Sequence, residues 1–274
     1  MTRTAVITMA HGRHGHWRQQ EAGLARSPVR PDVRIVVAMD DPALEGLAAR
    51  VGAVTVPVAA TDVGLPLAHA RNAGAEEALR RGADVLVFLD VDCVPAPRLV
   101  DAYTRAAVAP RTAGGILCGP VTYLPPPPAA GYDVTDLPRL DAPHPARPAP
   151  RPGDVLVGGA HDLFWSLSFA VAADVWGRIG GFHEGYVGYG AEDTDFGRLA
   201  RDRGIDLAWI GDARAYHQWH PTQDPPVQHL ADILRNGRLF RDRWGEWPMR
   251  GWLDGFLRQG LIVPTSDARD YRAA

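Results

Sequence analysis

Over the first 120 residues, short apolar runs alternate with amphipathic stretches. Thr4–Met9, Val33–Ala38, Ala53–Val56 and Asp84–Leu89 are almost continuously aliphatic or β-branched. Such runs predict strands covered on both faces. Between them, 16–25, 43–51 and 66–81 carry helix spacing, the last with an Ala/Leu face that includes Leu67, Ala70, Ala73 and Ala78. Strands alternating with helices predict an α/β fold around a mostly parallel sheet.

The pattern breaks over 124–153, where Pro125–Pro128 are consecutive and six more prolines follow by Pro152. Neither a helix nor a central strand tolerates that density. A disordered surface loop is the plain expectation, and a mobile loop beside a cleft is the functional alternative. Strand-like runs resume at Ser168–Ala172 and Asp206–Ile210, with a helix predicted from Glu192 to Arg203. Helical spacing returns from Val227 to Trp244, and the stretch Trp244–Val263 holds three tryptophans, as expected of a docking segment. The expected organisation is one domain over 1–221, divided by the Pro-rich loop (124–153) into stretches 1–123 and 154–221. A helical extension follows over 222–274.

Of 274 residues, 46% are apolar and 22% charged, and the net charge is −3. That balance excludes collagen, coiled-coil rods and wholly disordered chains. It also argues against nucleic acid as a partner, since phosphate binding needs a basic surface. There is no lysine, so arginine usage reflects composition as much as function. With only Cys93 and Cys118, and no apolar run that suits a signal peptide or a membrane span, a reduced, cytoplasmic protein is expected.

Three stretches carry candidate chemistry. In Phe88-Leu89-Asp90-Val91-Asp92-Cys93, an apolar strand runs into two aspartates one residue apart. Strand period 2 puts both carboxylates on one side, with Cα atoms roughly 7 Å apart. They lie at the carboxyl end of a parallel strand, where open α/β sheets bind ligands. Paired hard oxygens suit Mg2+ or Mn2+, though capping of the next helix is the simpler alternative. Second, Gly180-Gly181-Phe182 leads through Gly188-Tyr189-Gly190 to Glu192-Asp193-Thr194-Asp195-Phe196. A glycine-rich turn delivers acids to a helix start, either to answer the helix dipole or to place a general base. Third, Tyr216-His217-Gln218-Trp219-His220 follows the 206–210 strand, so two histidines stand three apart.

The order and spacing of these three stretches resemble the GT-A glycosyltransferases over residues 4–221, nearest to family 2 and to β-1,4-galactosyltransferase-like and chondroitin-polymerase-like enzymes. The resemblance implies a Rossmann-like, mostly parallel mixed sheet flanked by helices, with a nucleotide-binding half over 1–123 and an acceptor and catalytic half over 154–221. It implies a metal-dependent transfer of a sugar from a nucleotide-sugar donor, UDP-linked, to an acceptor hydroxyl with inversion. By that resemblance Asp90, Asp92 and His217 hold Mn2+ or Mg2+, with His220 a weaker candidate, and Asp193 is the general base. Tyr189, Gly190, Glu192 and Asp193 line the acceptor site. His11, Arg13, Asp40, Asp41, Arg71, Asp90 and Val91 contact the nucleotide sugar. The acceptor is a glycan, a lipid-linked glycan or a small molecule.

The sequence departs from the galactosyltransferases where Tyr189 replaces Trp in Gly-Trp-Gly and Thr194 interrupts the acidic run. A nucleotidyltransferase is a second reading, because His11-Gly12-Arg13-His14-Gly15 faintly resembles its glycine-rich loop. A non-catalytic nucleotide- or glycan-binding protein is a third. Bland roles are expected for Trp165 and Trp176 (core or pocket wall), for His14, His16 and Trp17 (surface packing) and for Cys93 (a small buried neighbour of the Asp-x-Asp turn).

Overall fold

The structure, a computed structural model, describes residues 2–266 and 270–274. Three βα repeats and a fourth strand open the chain: β1 (Thr4–Ala10), α1 (His14–Ala25), β2 (Val33–Met39), α2 (Ala43–Arg50), β3 (Val54–Val58), α3 (Leu67–Arg80) and β4 (Val85–Leu89). β5 (Cys93–Pro95), α4 (Leu99–Val108), β6 (Ile116–Cys118) and β7 (Val121–Tyr123) follow. Beyond the Pro-rich segment come β8 (Val155–Val157), β9 (Ser168–Ala172), α5 (Ala173–Ile179), α6 (Glu192–Asp202), β10 (Leu207–Ile210) and β11 (Ala215–His217). The chain ends with α7 (Leu230–Trp244), α8 (Arg250–Arg258), β12 (Ile262–Pro264) and β13 (Tyr271–Ala273).

The main sheet has eight strands in the order β3-β2-β1-β4-β9-β6-β10-β8. β1 to β4 are parallel, whereas β9 runs against β4 and β6, and β8 runs against β10. Period 2 along β4 explains why the strand is continuously apolar. Leu86 and Phe88 face a core shared with α3, α5 and α6, while Val85, Val87 and Leu89 face a second core beneath α4. Phe88 and Phe169, opposite each other on β4 and β9, stack at 4.5 Å. A smaller sheet, β5-β11-β7, sits beside the first. The expected strands and helices coincide with β1, β2, β3, β4, β9, β10 and with α1, α2, α3, α6, α7.

Residues 124–153 are not the disordered loop their composition predicts. Leu124 and Leu137 are buried with Val94 and Tyr216, over the small sheet. Thr122 bridges to Pro143, the His144 amide donates to the Val121 carbonyl at 2.9 Å, and Asp141 pairs with Arg214. Composition favours an unfixed chain, but these distant anchors outweigh it.

In the extension, α8 lays Leu253 and Phe256 against Ile233 and Leu234 of α7. Phe240 of α7 joins the main core, and Trp244 packs against it. No helix among the described residues is long and apolar enough to cross a membrane.

Candidate active site

Ladder register builds the first half of the site. β11 pairs antiparallel with β5, placing His217 opposite Cys93 and hence beside Asp92. The Gln218 amide donates to the Asp92 carbonyl at 2.8 Å and locks this arrangement. His217 Nε2 stands 3.4 Å from Asp92 Oδ1, and His220 Nε2 stands 3.6 Å from Asp92 Oδ2. One ligand atom from each of these three residues falls within 4.8 Å of the others. Asp92 Oδ1 is buried without a hydrogen-bond partner. A carboxylate and two imidazoles converging on an unsatisfied buried oxygen fit a divalent cation. Burial lowers the pKa of His217, against the pull of Asp92, so the ring stays neutral with a lone pair to offer. Asp90 is not in this cluster; its Oδ1 lies 3.4 Å from Arg71 Nη2.

The second half grows from the segment before β9. The Asp90 amide donates to the Leu167 carbonyl at 2.9 Å, and one residue earlier the Ser166 amide donates to Asp193 Oδ2 at 3.0 Å. One main-chain bond and one bond to a side-chain carboxylate thus hold the β4 end and the α6 start against the same stretch. Asp193 Oδ1 is buried without a hydrogen-bond partner, and Asp193 is among the residues that line a cavity. α6 begins on strained backbone: Ala191 has φ 77°, unusual for a residue with a Cβ. Gly188, at φ 72°, has no room for one, since a Cβ there would meet the Asp232 carboxylate at 2.3 Å. Asn236 of α7, fully buried, donates to the carbonyls of Val187, Tyr189 and Gly190 and fixes this loop.

Arg71 of α3 joins the halves. Its guanidinium reaches Asp90 and Glu192 Oε1, each at 3.4 Å, and lies over the Phe182 ring. Desolvation nevertheless pushes both carboxyls up to about 7, with neighbouring acids adding and Arg71 opposing. Asp195, the last acid of the run, turns away from the cavity. It is fully buried and accepts from Tyr186 Oη at 3.1 Å, Arg243 Nε at 2.7 Å and Trp244 Nε1 at 2.6 Å, pinning the C-terminal extension to α6.

The cavity has a volume of about 730 Å3. Arg71, Asp90, Tyr189, Gly190, Glu192 and Asp193 line it, as do Trp165 and the 246–252 strap, which runs from the α7–α8 connection into the first turn of α8. Tyr123, also in its wall, stacks on His217 at 4.6 Å and connects it to the cation cluster.

The other sequence-derived candidates lie at the β1 and β2 ends. Arg13 Nη1 pairs with Asp92 Oδ2 at 3.0 Å, so the β1–α1 turn touches the cation cluster. Asp41 accepts from the Gly12 amide at 2.7 Å and contacts His14 Nε2 at 2.9 Å, which makes it a brace of that turn. His11 contacts the Met39 carbonyl through Nδ1, and Asp40 is exposed at φ 48°. The Val91 side chain packs with Ala10, Trp17 and Leu44. Cys93 is fully buried, and burial raises its thiol pKa well above the ordinary value. Sequence reasoning missed the 246–252 strap, whose place on the cavity depends on the packing of α7 and α8, whereas His220, the weaker candidate, lies beside Asp92 with His217. Its spacing from His217 was the available signal.

No protein-family model matches the chain. Two curated relatives, the validoxylamine A glucosyltransferases of Streptomyces hygroscopicus subsp. jinggangensis (strain 5008) and subsp. limoneus, are each 32% identical over 162 residues, or 53% of this chain. The chain spans only 37% and 35% of their lengths. Among solved structures, TarS of S. aureus (residues 1–349) superposes with a TM-score of 0.57 at 12% identity, over 87% of this chain and 64% of that one. GalNAc-T7 with UDP, GalNAc and Mn2+ gives 0.56 at 11% identity, over 94% and 57%. With its mixed eight-stranded sheet flanked by helices, the chain has the GT-A fold of these glycosyltransferases.

Proposed function

We propose that the chain is a metal-dependent glycosyltransferase of the β-1,4-galactosyltransferase-like kind, moving a sugar from a UDP-linked donor to an acceptor hydroxyl with inversion. The observation that carries this reading is the convergence of Asp90 and Asp193 on one cavity, with the Asp92–His217–His220 cluster at its edge. The names of the curated relatives, and the Mn2+ and UDP in the GalNAc-T7 structure, support it.

Asp92, His217 and His220 would hold Mn2+ or Mg2+, which would neutralise charge on the departing nucleoside diphosphate. Arg13 braces Asp92 from the β1–α1 turn, where the nucleotide is expected. Asp193, oriented through Oδ2 by the Ser166 amide, keeps Oδ1 free to take the acceptor proton. The acceptor oxygen then bonds to the anomeric carbon from the face opposite the nucleotide. The bond to the diphosphate oxygen breaks and its electron pair leaves with UDP. Arg71 holds Asp90 and Glu192 in place beside the reacting sugar.

Slow, Mn2+-dependent hydrolysis of a nucleotide sugar is expected, and it should disappear in Asp92→Asn. Asp193→Asn should bind donor normally while transfer falls about 10²- to 10⁴-fold. Full transfer by Asp193→Asn removes the assigned base. Failure of any UDP-sugar to react with Mn2+ present overturns the reading.

A further inference from the structure

The two histidines of the cation cluster are held by unequal means. His217 ends β11 and has a ladder on each side, opposite Cys93 of β5 and Tyr123 of β7. Its carbonyl accepts from the Leu124 amide at 2.9 Å, and its ring stacks on Tyr123. His220 lies three residues past the strand, where both ladders have stopped. Between the two histidines, the Gln218 amide is fixed by the Asp92 carbonyl. The next amide, that of Trp219, turns to a side chain instead. It donates to Tyr132 Oη of the Pro-rich segment at 3.1 Å. The Trp219 indole is 41% exposed, so burial of the ring does little to fix this turn. In a cluster otherwise held by main chain, His220 is the exception.

Tyr132 is itself fixed for the task. Its hydroxyl donates to the Pro125 carbonyl at 2.6 Å, which commits the proton and leaves the oxygen to accept from Trp219. Its ring packs, half-buried, on Val94, Leu124, Leu137 and Tyr216, and its carbonyl accepts from Gln19 Nε2 of α1 at 3.4 Å. We propose that Tyr132 is a positioning residue for the cation site: its hydroxyl holds the Trp219 amide and so keeps the His220 imidazole beside Asp92, 3.6 Å away. The Pro-rich segment is then part of the frame of that site. This rests on the cation cluster of the proposed function, but it is read by binding of the metal alone and needs no turnover.

The test is Mn2+ titrated into the whole protein without nucleotide, with the free ion followed by electron paramagnetic resonance. Tyr132→Phe keeps the packed ring and removes only the hydroxyl. It should weaken Mn2+ binding about fivefold to tenfold while the urea midpoint moves little. Leu137→Val trims the same buried cluster and leaves the hydroxyl in place, so it controls for general loosening of the segment. It should lower the urea midpoint and change Mn2+ affinity less than about twofold. Equal Mn2+ affinity in Tyr132→Phe and the native protein overturns the inference. An equal loss in Leu137→Val does so too, because loosening the segment would then suffice. If the expected affinities hold in a protein that hydrolyses no nucleotide sugar, the positioning role stands and the transferase reading falls. If Tyr132→Phe hydrolyses a nucleotide sugar with an unchanged Mn2+ requirement, the transferase reading stands and this inference falls.

Discussion

The two sides of the cleft are held together by different means. The Asp92–His217–His220 cluster hangs on main-chain hydrogen bonds: the β5–β11 ladder and the Gln218 amide on the Asp92 carbonyl. The side that carries Tyr189 and Asp193 is held mostly by side chains. Asn236 and Asp232 fix the Gly188–Gly190 loop, Arg198 ties α6 to the strap, and Arg147 of the Pro-rich segment lies against Trp165. Backbone ladders tolerate changes of side chain, whereas side-chain braces change with one substitution.

The sharpest break of this contrast uses two substitutions and two reactions. His217→Ala should lower nucleotide-sugar hydrolysis and transfer together, by about 100-fold or more. Trp165→Ala should leave hydrolysis within about twofold and raise the KM for acceptor about tenfold, since Trp165 lines the cavity proposed for the acceptor and water needs no such wall. Parallel assays with Mn2+ report both. Equal loss of hydrolysis in the two variants would mean that the sides do not act separately.

A smaller effect is expected on stability at Arg71, 3% exposed and shared by Asp90 and Glu192. Arg71→Met leaves buried carboxyls without their cation, a loss of about 3–5 kcal/mol near neutral pH and above. Glu192 fixes how that loss varies with pH. Its folded pKa, about 7, lies above the ordinary 4.5, so the neutral form is the one the fold favours. Its contribution is intact below about 4.5 and is lost as pH rises through about 7. With Arg71 gone, the folded pKa climbs further. The deficit of Arg71→Met should therefore widen from about pH 5.5 to about pH 8 in urea unfolding. A deficit that shrinks with rising pH would show that Arg71 does not offset these acids.

Much of the sheet was legible because β1, β2 and β4 are long enough to show their apolar runs. β5, β7 and β11 have three residues each, too few for any period, yet their register sets His217 against Asp92. β9 reads as a strand, but its antiparallel direction is decided by neighbours. Asp90 and Asp92 were expected on one side of a continuing strand. Instead the chain turns there, the Cys93 amide donating back to the Asp90 carbonyl, and the two carboxylates part company to Arg71 and to the histidines. α4, with Leu99, Val100 and Tyr103 buried, was overlooked beside the stronger signals flanking it. The role of 124–153 was illegible because its anchors, Tyr216 and Trp165 among them, lie far along the chain.

Arg147 offers the mildest and most discriminating test of that segment. It is 6% exposed, yet none of its guanidinium nitrogens has a hydrogen-bonding oxygen among the described residues. It lies between the faces of Trp165, at 5.3 Å, and Trp209, at 5.2 Å, beside the Cys118 thiol, whose pKa it pulls down against the larger upward effect of burial. Two desolvated cation–π contacts contribute about 1–2 kcal/mol each, a gain that burying an unpaired charge largely cancels. A methionine has similar reach, no charge to desolvate and a sulfur that suits ring faces. Arg147→Met should therefore shift stability by no more than about 1 kcal/mol, while Arg147→Ala, which leaves a gap between the rings, should cost about 2–4 kcal/mol. Urea unfolding of both variants separates packing from charge. A penalty for Met as large as that for Ala would mean that the guanidinium charge, rather than the filling of space between two tryptophans, anchors the Pro-rich segment to the cavity wall.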